Sequence, residues 1–224
     1  MLTVKLILER LDREGRLLER REQGSRSFVK NFIVLLYCAH TQITAAGPFV
    51  MTDIAGNPRD VDSQSSSGVG VRYVKANFMI GAPPGLAGVY CLCGIGNTYN
   101  PDKATIKGEH IGIQVGTGTN AVTPTDTALQ TRIAHGRAAT QLEYGGCELV
   151  DLTFANPNGE FTIRRYFTNL SGGPITVNEV GIHSVGTDLS TEAWAFLIAR
   201  DLTGGVAVAD TEILRATYVP QITV

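Results

Sequence analysis

The stretch Glu148-Leu149-Val150-Asp151-Leu152-Thr153-Phe154-Ala155-Asn156-Pro157-Asn158-Gly159-Glu160-Phe161-Thr162-Ile163-Arg164-Arg165-Tyr166-Phe167-Thr168 reads as a β-hairpin. Asn-Gly is the strongest short hairpin signal, because both residues accept the positive φ that a tight turn requires. Beyond it, Phe161, Ile163, Arg165 and Phe167 alternate with Thr162, Arg164, Tyr166 and Thr168. A period of two is that of a strand with one buried face. Strands are therefore predicted over Glu148–Phe154 and Glu160–Thr168, joined by a turn over Asn156-Pro157-Asn158-Gly159.

The same grammar runs outward from this hairpin. Downstream, Asn169–Pro174 turns the chain into a strand over Ile175–Ser184. Strands over Ala193–Arg200 and Glu212–Val219 follow, with Gly204-Gly205 between them. Upstream, Phe49–Asp53, Val71–Ile80, Val89–Ile95 and His110–Val115 are further strand candidates. Turn or loop chemistry separates them at Ala55-Gly56-Asn57-Pro58, Asp62–Gly70, Gly81–Gly88 and Asn97–Lys107. Short strands with 25 glycines and 9 prolines between them predict a mainly β protein: an antiparallel β-sandwich or barrel-like body over residues 47–224.

Residues 1–46 are expected to form an N-terminal charged arm carrying one α-helix. Residues 1–30 hold eight Lys/Arg and five acidic residues, a net charge of +3 in a chain whose formal net charge is −2. Leu2–Leu8 reads as a strand or extended pairing segment, and Asp12-Arg13-Glu14-Gly15 as a turn. Ser25 or Ser27 is placed to cap a helix over Phe28–His40, in which Phe28, Phe32, Leu35, Leu36 and Ala39 form one stripe.

Composition excludes several classes of function. Wholesale disorder does not fit a chain that is 43% apolar. The balanced charge lacks the basic excess of a protein that neutralises many phosphates. The longest unbroken apolar run, Phe32–Ala39, has eight residues, against roughly 18 for a membrane-spanning helix. Cys38, Cys91, Cys93 and Cys147 do not make a disulfide framework, and all four read as free thiols in a reducing compartment.

No motif for chemistry survives inspection. Gly116-Thr117-Gly118-Thr119-Asn120-Ala121 follows a predicted strand and formally fits a dinucleotide fingerprint. That fingerprint needs a helix to begin in the glycine turn so that its N–H groups face the pyrophosphate, whereas Val122-Thr123-Pro124 follows here. Cys91 and Cys93 with His110, His135 or His183 lack the second close ligand pair of a zinc site. Asp126, His135 and Glu143 lie close in sequence but read as a turn cap, a loop residue and a surface charge. Tyr73, Phe78, Tyr90 and Tyr99 lack the interleaved basic residues of a stacking platform. No enzyme activity, cofactor, metal or small-molecule substrate is expected.

Several segments resemble a family of tailed-bacteriophage virion structural proteins. They are Ser25–Phe32 leading into Leu35-Leu36-Tyr37; Ile113–Thr119 with Ala121–Leu129 and Ile133–Gly136; Phe161–Asn169 through Ser171-Gly172 to Ile175–Ile182; and Ile198-Ala199-Arg200-Asp201. The stretch Gly81–Asn100 departs from the pattern. The resemblance implies a non-enzymatic component of a head, neck or tail, present in many copies and assembled in the host cytoplasm. Its partners would be copies of itself and other virion proteins, without membrane or nucleic acid. Tail or neck placement is preferred, with capsid decoration next, then a carbohydrate- or receptor-binding module of the tail. That last alternative predicts exposed aromatics among loops 81–88 and 97–108.

Two expectations concern particular side chains. Arg20, Arg21, Arg26, Phe28, Phe32 and Leu36 are the candidate assembly residues, with the helix docking on its own body or on a neighbour's. Glu179, within Asn178-Glu179-Val180-Gly181-Ile182, is either exposed on the sheet's outer face or buried against an arginine such as Arg164 or Arg200.

Overall fold

Residues 2–25, 27–34, 50–60, 108–187 and 193–223 are described by the computed structural model. Among them the chain runs β1 (Leu2–Leu11), β2 (Leu17–Ser25), β3 (Val50–Thr52), β4 (Pro58–Asp60), a 3-10 turn (Gly108–His110) and β5 (Gly112–Gly116). It continues through β6 (Glu143–Ala155), β7 (Asn158–Thr168), β8 (Ile175–Thr187), β9 (Ala193–Val208) and β10 (Ile213–Thr223). The strands predicted over Val71–Ile80 and Val89–Ile95 lie outside the described residues.

The protein is mainly β, with antiparallel sheets arranged as a sandwich and not as a closed barrel. One sheet has five strands in the order β2-β1-β10-β7-β6; a second has three in the order β5-β8-β9; β3 and β4 form a small separate hairpin. Alternation along the five-stranded sheet sends Leu6, Leu8, Ile163, Phe167, Leu214, Ala216 and Tyr218 inward. There they meet Ile113, Val115, Val177, Ile182, Phe196, Ile198 and Val206 from the other sheet in one core cluster. Register places Leu6 beside Tyr218 and Tyr218 beside Ile163, so the inward rows continue across three strands.

The charged arm is part of this sheet. β1 is an internal strand, paired along its length with β10 on one side and β2 on the other. Its Val4, Leu6, Leu8 and Leu11 are buried. The Asp12–Gly15 turn forms as expected: Asp12 Oδ1 accepts the N–H groups of Glu14 at 3.0 Å and Arg16 at 2.8 Å, and Gly15 takes a φ of +82°. Arg10, Glu19 and Arg21 share the inward row of Leu8, and Arg21 Nη1 reaches the Gly205 carbonyl at 2.8 Å; the other strand charges of this hairpin lie on the outer face in cross-strand pairs. Glu9, for example, sits between Arg20 at 3.7 Å and Arg215 at 2.6 Å.

Two glycine readings are corrected. The hairpin loop between β6 and β7 is Asn156-Pro157, with Ala155 paired to Asn158 and Phe154 to Gly159. Asn158-Gly159 therefore opens the return strand. Proline at 157 cannot donate to a ladder, which favours its place at the loop. Gly204-Gly205 does not separate two strands but lies inside β9, where both residues have positive φ. The pair forms a bulge against Asn178: register shifts between the pairs Val177–Val206 and Glu179–Leu202.

The three-stranded sheet is covered on both faces. Its inner face meets the five-stranded sheet. Over its outer face lie residues 27–34 and the loop 117–133, where Val29, Leu129 and Leu197 make a second small core. Burial on both sides explains the unbroken buried run from Ala195 to Ala199, which has no alternation to read. The expected helix Phe28–His40 begins later than predicted. Phe28 forms a β-bridge with Ala199, helical structure starts at Lys30, and residues 35–40 lie outside the description.

Candidate functional site

Among the described residues, a buried ionic centre with many hydrogen bonds lies on the outer face of the three-stranded sheet. Glu179 on β8 is fully buried. Its Oε1 accepts the N–H of Gly118 at 3.1 Å and of Thr131 at 2.8 Å. Its Oε2 accepts the N–H of Gln130 at 3.1 Å and Nε of Arg200 at 2.7 Å. Of the two arrangements open to Glu179, the buried one is realised, and Arg200 is the partner. Arg164 instead reaches Glu148 at 2.9 Å.

Arg200 on β9 extends the network. One guanidinium nitrogen donates to Asp126 Oδ2 at 2.7 Å and the other to the Asn120 carbonyl at 3.1 Å. Burial alone would raise the Asp126 carboxyl. Hydrogen bonds from the Thr123 hydroxyl and N–H and from Arg200 outweigh that and hold its pKa below the usual carboxylate value. Burial alone would likewise lower the Arg200 pKa, and the two carboxylates raise it instead.

This centre explains the glycines of the dinucleotide-like stretch. A Cβ on Gly118 would lie 2.4 Å from Cβ of Gln130 and 2.6 Å from Glu179 Oε1; one on Gly116 would lie 2.4 Å from Glu179 Oε1. The loop backbone comes that close because the carboxylate draws its N–H groups in. No helix begins here: residues 117–133 form an irregular crossing loop. Thr117 N–H reaches Thr131 O, and Ile133 N–H reaches Val115 O. The segment 27–34 is tied to the same structure, with Lys30 N–H donating to Pro124 O at 2.7 Å and Arg200 N–H to Ser27 O at 3.1 Å.

Chemically, the arrangement ties the loop to the sheet. Both Glu179 oxygens already accept two donors each, so the carboxylate has no lone pair to abstract a proton in its present geometry. Its neighbour Asp201 points the other way along the strand, into the core. There it accepts from Ser25 at the end of β2 at 2.8 Å and from Tyr218 on β10 at 2.9 Å. Burial, then the Asp201 charge, pushes the Tyr218 hydroxyl well above its ordinary pKa. Arg200 thus fastens the loop, and Asp201 fastens the two sheets to each other.

The other candidates are dispersed. Asp126, His135 and Glu143 do not converge: Asp126 holds Arg200, His135 Nδ1 accepts the Tyr144 N–H at 2.9 Å, and Glu143 pairs with Arg137 at 2.7 Å. Among the described residues no group of three or more His, Cys, Asp or Glu is placed to hold a metal. Cys147 is buried beside Arg165 in the sheet. Cys91, Cys93, Tyr73, Phe78, Tyr90, Tyr99 and the loops 81–88 and 97–107 lie outside the described residues.

Of the candidate assembly residues, Phe28 and Phe32 stack on one another at 3.9 Å. Phe32 lies in the protein's own core and Phe28 packs against it, so this end of the helix docks within the chain. Arg20 and Arg21 lie on the exposed edge strand in pairs with Glu22 at 2.9 Å and Glu19 at 2.6 Å. Arg26 and Leu36 lie outside the described residues.

His183, on β8, is buried. Its Nδ1 lies 3.0 Å from the His110 carbonyl, and its Nε2 has no hydrogen-bond partner among the described residues. Burial, reinforced by the nearby charges of Arg132 and Arg165, pushes the imidazole down to about 3. Unfolded, a histidine titrates near 6.5, so acidification puts a proton on the unfolded chain before the folded one. The stability carried by the neutral imidazole is complete above pH ~6.5 and is lost toward pH ~3, at about 1.4 kcal/mol per unit mid-window. Urea unfolding at neutral pH and near pH 4.5 should show this slope, and His183→Gln should flatten it.

What sequence reading missed altogether is the apolar end of the five-stranded sheet. Leu149, Leu152 and Phe154 on the edge strand β6, with Ile222 on β10, are large apolar side chains exposed by 52%, 68%, 82% and 56%. With Phe161, Pro220 and the Asn156-Pro157 turn, Leu152, Phe154 and Ile222 line an open groove of about 560 Å³. Runs of this kind read as buried strand, and the sequence holds no sign that the facing sheet stops short of them. Comparison with protein-family models, with curated proteins and with solved structures gave no match for this chain.

Proposed function

We propose that this chain is a non-enzymatic structural component of a tailed-phage particle, acting in the tail or neck by self-assembly and by contact with other virion proteins. The observation that carries this reading is where the family-like segments fall in the fold. Gly116–Gly118, Thr123–Asp126, Asn178-Glu179 and Arg200 all meet at the Glu179–Arg200 centre, and Ser27–Lys30 is bound to it. What these segments share is a scaffold task, holding a long loop and an N-terminal segment on a β-sandwich. A scaffold held this firmly presents fixed surfaces to neighbours, the requirement for register in a repeating assembly.

Among the described residues no helix is long and apolar enough to cross a membrane. The outer face of the five-stranded sheet carries interleaved charges of both signs, for example Lys5–Glu22 and Arg215–Glu9. Such a face favours a matched protein surface over a polyanion.

The test is quantitative mass spectrometry of purified phage particles. The expected result is this chain at many copies per particle, in fixed ratio to the major structural proteins. Its absence from particles, or its presence only in infected-cell lysate, would overturn the reading.

A further inference from the structure

The inner face of the five-stranded sheet runs on past the residues that cover it. Along β7 the inward positions are Phe167, Arg165 and Ile163, all buried, then Phe161, half-buried. Along β10 they are Leu214, Ala216 and Tyr218, then Pro220 and the exposed Ile222. Leu149 pairs with Ile163, and Phe154 with Gly159, so β6 adds its apolar side chains to the same face. The result is half of a sandwich: an apolar sheet surface, flanked by a bare edge strand, with no second sheet over it among the described residues.

We infer that this lip is a self-docking surface, on which a second copy of the chain seats its own lip face to face about a two-fold axis. The inference deepens the assembly reading and rests on it only in requiring that the protein associate with itself.

Three observations select this occupant. The first is shape. Side chains exposed by 52–82% project as knobs, whereas a small-molecule site encloses most of its ligand in a concave pocket. The second is chemistry. Among the described residues Glu160 is the one charged side chain lining the groove, and Gln221 holds it at 2.8 Å. Closing the lip onto an apolar surface therefore strands no unpaired charge, while a nucleic acid or an acidic peptide would find no cation there.

The third is area and form. A whole aromatic side chain covers about 150–250 Å², so these four exposed groups present on the order of 400–500 Å². That is the size of the largest apolar patch on a typical monomer, which is often a functional one, and it makes up about half of the roughly 800 Å² per partner in a stable interface. An apolar sheet face is satisfied by another at about 10 Å spacing. An identical copy brings one of matching length and twist, and a two-fold contact is the commonest symmetric solution.

The test is sedimentation velocity of the full chain over a wide concentration range, beside two double variants. Leu152→Asp with Phe154→Asp changes the lip; Leu17→Asp with Leu18→Asp changes the opposite edge of the same sheet, where both leucines are also exposed. All four positions are exposed, so circular dichroism and melting should match the parent protein. Phe154→Ala serves as a milder lip variant, with at least a tenfold weakening expected.

Self-association of the parent that falls 100-fold or more in the lip variant, and stays within threefold in the Leu17/Leu18 variant, is the expected result. Association unchanged by the lip variants, or lost only with the Leu17/Leu18 variant, would overturn this inference while leaving self-assembly intact. A parent protein that stays monomeric throughout would overturn both.

Discussion

Replacing Arg200 with methionine is expected to destabilise the fold by about 3–5 kcal/mol, because it leaves the buried Glu179 carboxylate without its counter-charge. The loss is larger than a surface ion pair would give, since Arg200 and Glu179 are both almost completely shielded from water. Asp126 loses its counter-charge in the same change, keeping its Thr123 donors, and the Asn120 carbonyl loses the Arg200 donor. Glu179→Leu is expected to be comparably costly for a different reason. It takes the acceptor from the N–H groups of Gly118, Gln130 and Thr131 and from the buried Arg200 Nε, and a buried donor left without a partner, as at Gly118, costs about 1–3 kcal/mol. Combining the two variants should therefore not restore stability, although exchanging a simple buried pair for apolar residues often does. Urea unfolding of the parent and the three variants measures this directly. A loss under ~1 kcal/mol for Arg200→Met would mean that the centre does not hold the loop.

The second large effect concerns the N-terminal hairpin. A chain truncated to begin at Gly47 is expected not to fold. It loses both β1 and β2 from beside β10 and also residues 27–34, and with them the buried side chains of Val4, Leu6, Leu8, Leu11, Val29 and Phe32. At roughly 1.5–3 kcal/mol for each large apolar side chain, six of them match the whole 5–15 kcal/mol of net stability typical of a domain. The truncation would also bare the edge of β10, an invitation to aggregate. Near-ultraviolet circular dichroism and limited proteolysis of the truncated chain provide the check. A cooperative melt with native-like β signal would show that residues 1–46 are dispensable after all.

That second expectation reverses a sequence-level impression, and the reason is physical. A charge-rich segment reads as an appendage, yet β2 is an edge strand whose Glu19, Arg20, Arg21 and Glu22 pair with each other, with β1 and, through Arg21, with the Gly205 carbonyl of the facing sheet. Its inward row, Glu19, Arg21, Gln23 and Ser25, is polar and bonds to the facing sheet, so there is no hydrophobic period to detect. β1 keeps its alternation through Val4, Leu6 and Leu8, and that part was legible as a pairing strand. The Phe161-Ile163-Arg165-Phe167 alternation was legible for the same reason, because one face of β7 is dry along most of its length. The hairpin was legible but its loop was not, since a Pro157 loop competed with an Asn-Gly signal two residues later.

The ionic centre was half legible. A carboxylate inside an apolar strand demands either exposure or a cation, and that reasoning named Arg200 among two candidates. The three backbone donors could not be foreseen, because a loop 48 to 61 residues away in sequence supplies them. The glycines at 116 and 118 were visible as a pattern but resembled a phosphate-binding turn; only the closeness of Glu179 explains why they lack side chains. The apolar lip was invisible, because exposure depends on where the facing sheet ends.

The most direct measurement is an electron cryomicroscopy reconstruction of the intact particle, with this chain built into density. The expected result is symmetric copies in the tail or neck, each with its β6–β7 lip covered by protein. A single unassociated subunit, holding a bound substrate in a polar cleft, would contradict a role exercised through assembly alone.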